Sequence, residues 1–186
     1  MRDSNRHNSG LTSRCSEDFR QYCRDIPDFP KKGIIFRDIT NLLKNGPVFK
    51  RAIDEISANY SLNKIDAIAS IEARGFIIGS ALAYRMGSGL IPVRKKGKLP
   101  WRVYRKSYSL EYGEDQLEVH QDGILPGANI LIVDDVIATG GTVEAVAKLV
   151  KEMKGNLIGA AFLIELTDLK GREKIKDVPV FSLIKY

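Results

Sequence analysis

Between Ile130 and Thr142 the chain reads Ile130-Leu131-Ile132-Val133, Asp134-Asp135, Val136-Ile137, then Ala138-Thr139-Gly140-Gly141-Thr142, and this run narrows the possible folds more than any other. Four branched apolar residues are too few for a helix and suit a strand buried on both faces, as in a parallel sheet. Val143, Val146, Ala147 and Val150 then recur at helical spacing, so a helix begins just past the glycines. Residues 139–142 therefore lie in a turn feeding a helix N-terminus, where unpaired backbone N–H groups and the positive end of the helix dipole attract an anion. Taken alone, Thr-Gly-Gly-Thr also fits a tight turn with Thr142 as a cap and two solvated acids. The paired acids upstream favour a ligand, because carboxylates can hold sugar hydroxyls while the glycine loop holds a phosphate. Neither Gly-x-x-x-x-Gly-Lys-Ser/Thr nor a strand followed by Gly-x-Gly-x-x-Gly is present, so this is neither of the better-known phosphate cradles.

The flanking chain repeats the strand, loop and helix order. Ala67–Ile71 is expected to be a strand and Phe76–Met86 a helix, with Glu72-Ala73-Arg74-Gly75 between them. That loop is a second potential anion site, in which Arg74 offers a donor fork suited to phosphate oxygens; a surface ion pair is the other reading of Arg74. Leu90–Val93 reads as a strand that releases the chain into a basic segment containing Arg94, Lys95, Lys96, Lys98, Arg102, Arg105 and Lys106. Gly97 and Pro100 predict a loop there, fitted to a compact polyanion or simply solvated. Ser107–His120 shows two alternating runs around Gly113, a hairpin that could serve as a lid.

Toward the N-terminus, Ser16 can cap a short helix to about Cys23, and Ile26–Thr40 mixes prolines with apolar residues as an ordered loop with short extended pieces. By pattern alone Phe36 is a core aromatic, although it could also offer a flat base its face. Gly46-Pro47 opens a helix to about Tyr60. After the central run, Leu157–Leu166 is a long strand, Asp168–Ile175 a short polar turn or helix, and Val180–Ile184 a last strand. The alternation predicts an α/β fold with a central, mainly parallel sheet flanked by helices. One domain over 16–186 is expected, with 1–15 as a disordered arm. In such sheets ligands bind at the carboxyl ends of the strands, so the loops after Ile71, Val93 and Val133 should converge.

Composition excludes several classes. The 186 residues contain no apolar run long enough to span a membrane, and the polar start lacks a secretory h-region, so a cytoplasmic protein with no membrane partner is expected. Cys15 and Cys23 match neither a redox nor a zinc spacing, and His7 and His120 have no metal-ligating neighbours in sequence. The net charge of +6 is concentrated in the basic segment rather than along a helix, which favours a small polyanion over nucleic acid.

With these pieces placed, Pro27–Pro30, Gly33–Thr40, Glu72–Phe76, Arg94–Pro100, Tyr108–Gly113 and Val133–Thr142 together resemble the adenine phosphoribosyltransferase family, from about Ile26 to the C-terminus. The resemblance implies the type I phosphoribosyltransferase fold, with a small N-terminal hood and a β-hairpin lid. It implies transfer of ribose 5-phosphate from phosphoribosyl diphosphate to adenine, giving AMP and diphosphate, with Mg2+ carried mainly by the substrate and no direct protein ligands. By resemblance, Ala138, Thr139, Gly140, Gly141 and Thr142 would hold the 5-phosphate, and Asp134 and Asp135 the ribose hydroxyls. Glu72, Ala73 and Arg74, with a cis peptide between Glu72 and Ala73, would hold the diphosphate, helped by Lys95, Lys98 and Tyr112. Adenine would lie between Phe36 and Val136, read by the main chain of Ile35 and Arg37, and Glu111 would manage the purine proton. A homodimer is implied as well. The competing readings are an enzyme of the same superfamily acting on a 6-oxopurine, and a non-catalytic sensor of phosphoribosyl diphosphate that binds nucleic acid. The short arm before Ser16 and the lid carboxylate argue against the sensor.

Overall fold

A computed structural model of the chain describes residues 19–109 and 114–186. The predicted Ser16 cap, Glu111 and Tyr112 lie outside the described residues. The chain folds as two units, the first ending at Ala52 and the second running from Ile53 to Tyr186.

In the first unit, β1 (Arg24–Pro27) and β2 (Ile35–Asp38) pair antiparallel, with Ile26 opposite Phe36. These are the short extended pieces expected between the prolines. A five-residue helix, α1 (Thr40–Lys44), follows them and has no clear signal in the residue pattern. The boundary between the units falls within α2 (Gly46–Ala58), whose buried positions Val48, Ala52, Ile53 and Ile56 recur at helical spacing.

The second unit is built on a seven-stranded sheet. Its strands are β3 (Ala67–Ile71), β4 (Gly89–Lys95), β5 (Val103–Ser109), β6 (Glu114–His120), β7 (Asn129–Ile137), β8 (Asn156–Glu165) and β9 (Val180–Lys185), in the order β5-β6-β4-β3-β7-β8-β9. Pairing is parallel from β4 through β9 and antiparallel for β6 with β4 and with β5. Strand β7 continues past Val133, so both acids belong to the strand. Ile130, Leu131, Ile132 and Val133 have no exposed surface, as expected for a strand covered on both faces.

Two helices supply that cover. Ala69, Ile71, Ile130 and Ile132 share one core cluster with Val143, Val146, Leu149 and Val150 of α4 (Gly141–Glu152). On the opposite face, α3 (Gly75–Met86) places Gly79 against the side chains of Ser70 and Ile68. Between β8 and β9 lie two 3-10 turns, Thr167–Leu169 and Gly171–Ile175.

One expectation is corrected. The basic segment is only partly loop: Arg94 and Lys95 end β4, Arg105 and Lys106 lie in β5, and residues 96–102 connect the two. Strand β6 lies between them, pairing Arg94 with Glu118 on one side and Arg105 with the same Glu118 on the other. Tyr104, Lys106 and Tyr108 alternate with the exposed Arg105 and Ser107, and both tyrosines pack on the core. The breakers Gly97 and Pro100 mark only the short turn between strands. The hairpin is therefore rooted in the main sheet, with Leu117 and Val119 of β6 each only 1% exposed.

Candidate active site

Ser70 of β3 registers with Val133 of β7, so the loop after β3 and the acids near the end of β7 emerge side by side. Arg74, in the turn just before α3, reaches across and places a guanidinium nitrogen 2.7 Å from Asp135 Oδ2. The approach is close because Gly75 has no side chain. A Cβ there would lie 2.7 Å from Asp134 Oδ1 and 3.3 Å from the Val133 carbonyl oxygen. The peptide between Glu72 and Ala73 is cis.

The two acids differ in setting. Asp134 Oδ1 accepts the backbone N–H of its neighbour Asp135 at 2.8 Å. Burial, and then the charge of Asp135, lift the Asp134 carboxyl well above the usual carboxylate range. Burial also raises Asp135, but the Arg74 guanidinium opposes it. A negative charge is therefore easier to keep on Asp135 than on Asp134.

Beyond Ile137 the chain turns through Ala138-Thr139-Gly140 into α4, with Gly141 and Thr142 already in the first helical turn. Gly140 caps the helix in the left-handed region at φ 78°, which accounts for a glycine at this position. A second reason is contact: a Cβ on Gly140 would lie 2.2 Å from the carbonyl oxygen of Gly171, and one on Gly171 would lie 2.3 Å from that of Ala138. Asp134, Val136, Ala138, Thr139, Gly140 and Thr142 line a cavity of about 80 Å³ at the helix N-terminus. The strand end, Asp134 and the glycine loop thus share one cavity, with Asp135 next along the strand.

The remaining candidates divide. Glu72 points its carboxylate at β4, accepting Arg94 Nε at 2.9 Å and the backbone N–H of Lys95 at 2.7 Å. Its side chain secures the neighbouring strand. Lys95 is held by a partner: its ammonium lies 2.9 Å from Asp115 Oδ2, and the hydrogen bond with that carboxylate is the main cause of its raised pKa. Tyr108 also donates to Asp115, at 3.3 Å, and interacts with Thr142, which places the root of the hairpin beside the glycine loop. Lys98 is exposed, and its backbone carbonyl accepts Arg94 at 3.2 Å.

Within the first unit, Phe36 is half-buried and its ring meets Phe29 edge-on, with centroids 5.2 Å apart. Arg37 forms an ion pair with Asp25, and Ile35 is 49% exposed. In the second unit, Val136 is half-buried on β7.

Two features have no sequence signal. Glu118 has no exposed surface, yet it accepts Arg105 Nε at 2.6 Å and the Gly97 N–H at 3.0 Å, holding the basic turn to the sheet. The other is Gly171, whose neighbour Arg172 makes a two-pronged pair with Glu165 at 2.5 and 2.6 Å.

Comparison with known proteins gives a consistent result. The phosphoribosyl transferase domain family matches residues 40–185. An adenine phosphoribosyltransferase of Syntrophotalea carbinolica is 54% identical over 170 residues, covering 91% of this chain and 99% of the relative. The crystal structure of the adenine phosphoribosyltransferase from Thermoanaerobacter pseudethanolicus superposes with a TM-score of 0.89 at 49% identity, covering 91% of this chain and 99% of that one. The Saccharomyces cerevisiae enzyme, crystallised with adenine and an imino-altritol bisphosphate, gives a TM-score of 0.87 at 38% identity, covering 92% and 99%.

Proposed function

The chain belongs to the adenine phosphoribosyltransferase family, and on that premise we propose how its residues divide the reaction. It transfers the ribose 5-phosphate of phosphoribosyl diphosphate to adenine, forming AMP and diphosphate. The observation that carries the assignment of roles is the cavity shared by Asp134 and the 138–142 loop, with the Arg74 and Asp135 pair at its strand.

The reaction is substitution at C1 of the ribose. As adenine N9 attacks, diphosphate departs, the sugar gains oxocarbenium character and the leaving group gains negative charge. In this reading the amides of Ala138–Thr142 hold the 5-phosphate at the N-terminus of α4, and Asp134 and Asp135 orient the ribose hydroxyls. Ala73 and Arg74 face the diphosphate, where a fixed guanidinium stabilises charge that develops only in the transition state. Lys98 adds positive charge, and Lys95 does so to the extent that it leaves Asp115. Glu111 manages the purine proton beside Tyr112, and closure of the hairpin would exclude water from the activated sugar. Ile35, Phe36, Arg37 and Val136 are assigned to the adenine.

Mg2+ belongs to the same proposal. Among the described residues no group of three His, Cys, Asp or Glu is arranged to cage a metal. Of the two acids Asp134 lines the cavity and Asp135 follows it on the strand, and the ion would be carried mainly by the oxygens of the substrate phosphates. When bound, the ion neutralises charge on the departing diphosphate.

A homodimer is proposed as well, supported by the exposed Ile77 and Tyr84 on one side of α3. A cytoplasmic setting is proposed with it, on the ordinary composition of the chain, 44% hydrophobic and 28% charged. Among the described residues no helix is long and apolar enough to cross a membrane. The deciding assay supplies phosphoribosyl diphosphate and Mg2+ with adenine, hypoxanthine or guanine in turn and follows diphosphate release. Adenine is expected to react far faster, and a preference for either 6-oxopurine would overturn the assignment.

A further inference from the structure

The glycine loop is braced from outside the motif. Gly171 is buried, and its backbone packs directly on that of the loop, where a Cβ would come 2.3 Å from the Ala138 carbonyl oxygen and 3.0 Å from the Gly140 nitrogen. What holds Gly171 there is the next residue. Arg172 donates through Nε and an NH2 hydrogen to the two oxygens of Glu165, at 2.5 and 2.6 Å, and through its other terminal nitrogen to the Val180 carbonyl at 2.7 Å. Ser182 Oγ accepts a further bond at 3.3 Å. One guanidinium thus ties the 3-10 turn to both β8 and β9. Ile175 at the far end of that turn is buried in the cluster shared with α4. Upstream of the turn, the Leu166 N–H donates to the Ile137 carbonyl at 3.0 Å, where the loop begins.

We propose that Arg172 is a positioning residue for the phosphate cradle: by clamping the Gly171–Ile175 turn to β8 and β9, it presses the Gly171 backbone against Gly140 and keeps the loop amides aimed at the 5-phosphate. The inference rests on the assignment of Ala138–Thr142 to that phosphate. Because the brace is backbone on backbone, a small shift of the turn passes directly to the loop. Arg172 touches no substrate, so its effect is on how the phosphate is held.

The test compares the binding of AMP and of adenosine, which differ only in the 5-phosphate, by calorimetry on the full chain. Arg172→Gln removes the fork, and Gly171→Ala leaves the fork but obstructs the packing. In both variants the preference for AMP over adenosine should fall at least about tenfold, within the scale of loss that a ~1 Å misplacement produces. Adenosine binding should be unchanged, which a general loss of fold would not allow. If the original chain prefers AMP and either folded variant keeps that preference, the inference is overturned. If Arg172→Gln fails to fold, Arg172→Lys, which keeps the charge without the fork, takes its place. Should the original chain bind AMP no better than adenosine, the cradle assignment falls first and takes the inference with it.

Discussion

Asp134 Oδ1 accepts the backbone N–H of Asp135 at 2.8 Å, so the first acid of the pair is bonded to the main chain of the second while the second faces Arg74. The arrangement places a half-buried and a buried carboxylate next to each other with one nearby guanidinium. The carboxyl of Asp134 is lifted by burial and by its neighbour, so in the folded state it binds its proton more readily than in the unfolded chain. Its ionisation therefore opposes folding, progressively more as pH rises from the unfolded value of 3.8 through the raised folded one.

Asp134→Asn keeps the bond to the Asp135 N–H and removes the charge. At neutral pH it should raise stability while lowering turnover by ~10²-fold or more. Thermal melts alongside steady-state kinetics check both directions, and a variant that is less stable yet fully active would contradict the account.

The Lys95 and Asp115 pair leads to a gain of function. Asp115→Asn keeps the backbone bond to Gln116 and frees the ammonium for an incoming diphosphate. The pair is partly exposed and therefore weak, so the KM for phosphoribosyl diphosphate should fall by up to about fivefold, with kcat little changed. Steady-state kinetics with phosphoribosyl diphosphate varied at saturating adenine measure the change.

Part of the acid sensitivity should trace to Glu165. Burial acts to raise its pKa, but the bonds from Arg172 and Ser182 and the charges of Arg172 and Lys185 outweigh it and leave the carboxyl below the usual 4.5. A depressed acid pKa contributes stability that is present above 4.5 and is lost as pH falls through the folded value. Urea midpoints measured from neutral pH down through the acid range should decline for the original chain. Glu165→Gln should start about 1–3 kcal/mol lower and decline less.

Glu111→Ala should reduce kcat by about 10²- to 10⁴-fold and weaken binding of phosphoribosyl diphosphate far less. Kinetics paired with direct binding separate the two effects. Equal losses in both would move Glu111 from proton transfer to substrate binding.

The parts of this architecture that are legible in the sequence are those governed by local pattern. The continuous apolar run of β7, the Gly-Gly at its end and the helical spacing from Val143 are each visible within a dozen residues, as is the loop carrying Arg74. The basic segment reads as loop because Gly97 and Pro100 are strong breakers, whereas the alternation of Tyr104, Lys106 and Tyr108 acquires meaning only once β6 pairs on both sides. Glu118 shows the same limit. Strand periodicity would put it outside, opposite Leu117 and Val119, yet the Arg105 side chain and the turn at Gly97 lie over it and leave Glu118 no exposed surface. Nothing near Gly171 announces contact with Gly140, because the partners come together only through the packing of β8, β9 and α4.

That last contact has a consequence for how the protein can change over time. Most tight packing can be relieved in two steps, a larger side chain here answered by a smaller one there. At Gly140 and Gly171 the nearest obstructing atoms are main-chain carbonyl oxygens, those of Gly171 and Ala138, which every amino acid carries. No replacement at either position can make room for a side chain at the other, so neither site has a compensating partner, and variation in this loop must be sought elsewhere, at Ala138, Thr139 or Thr142.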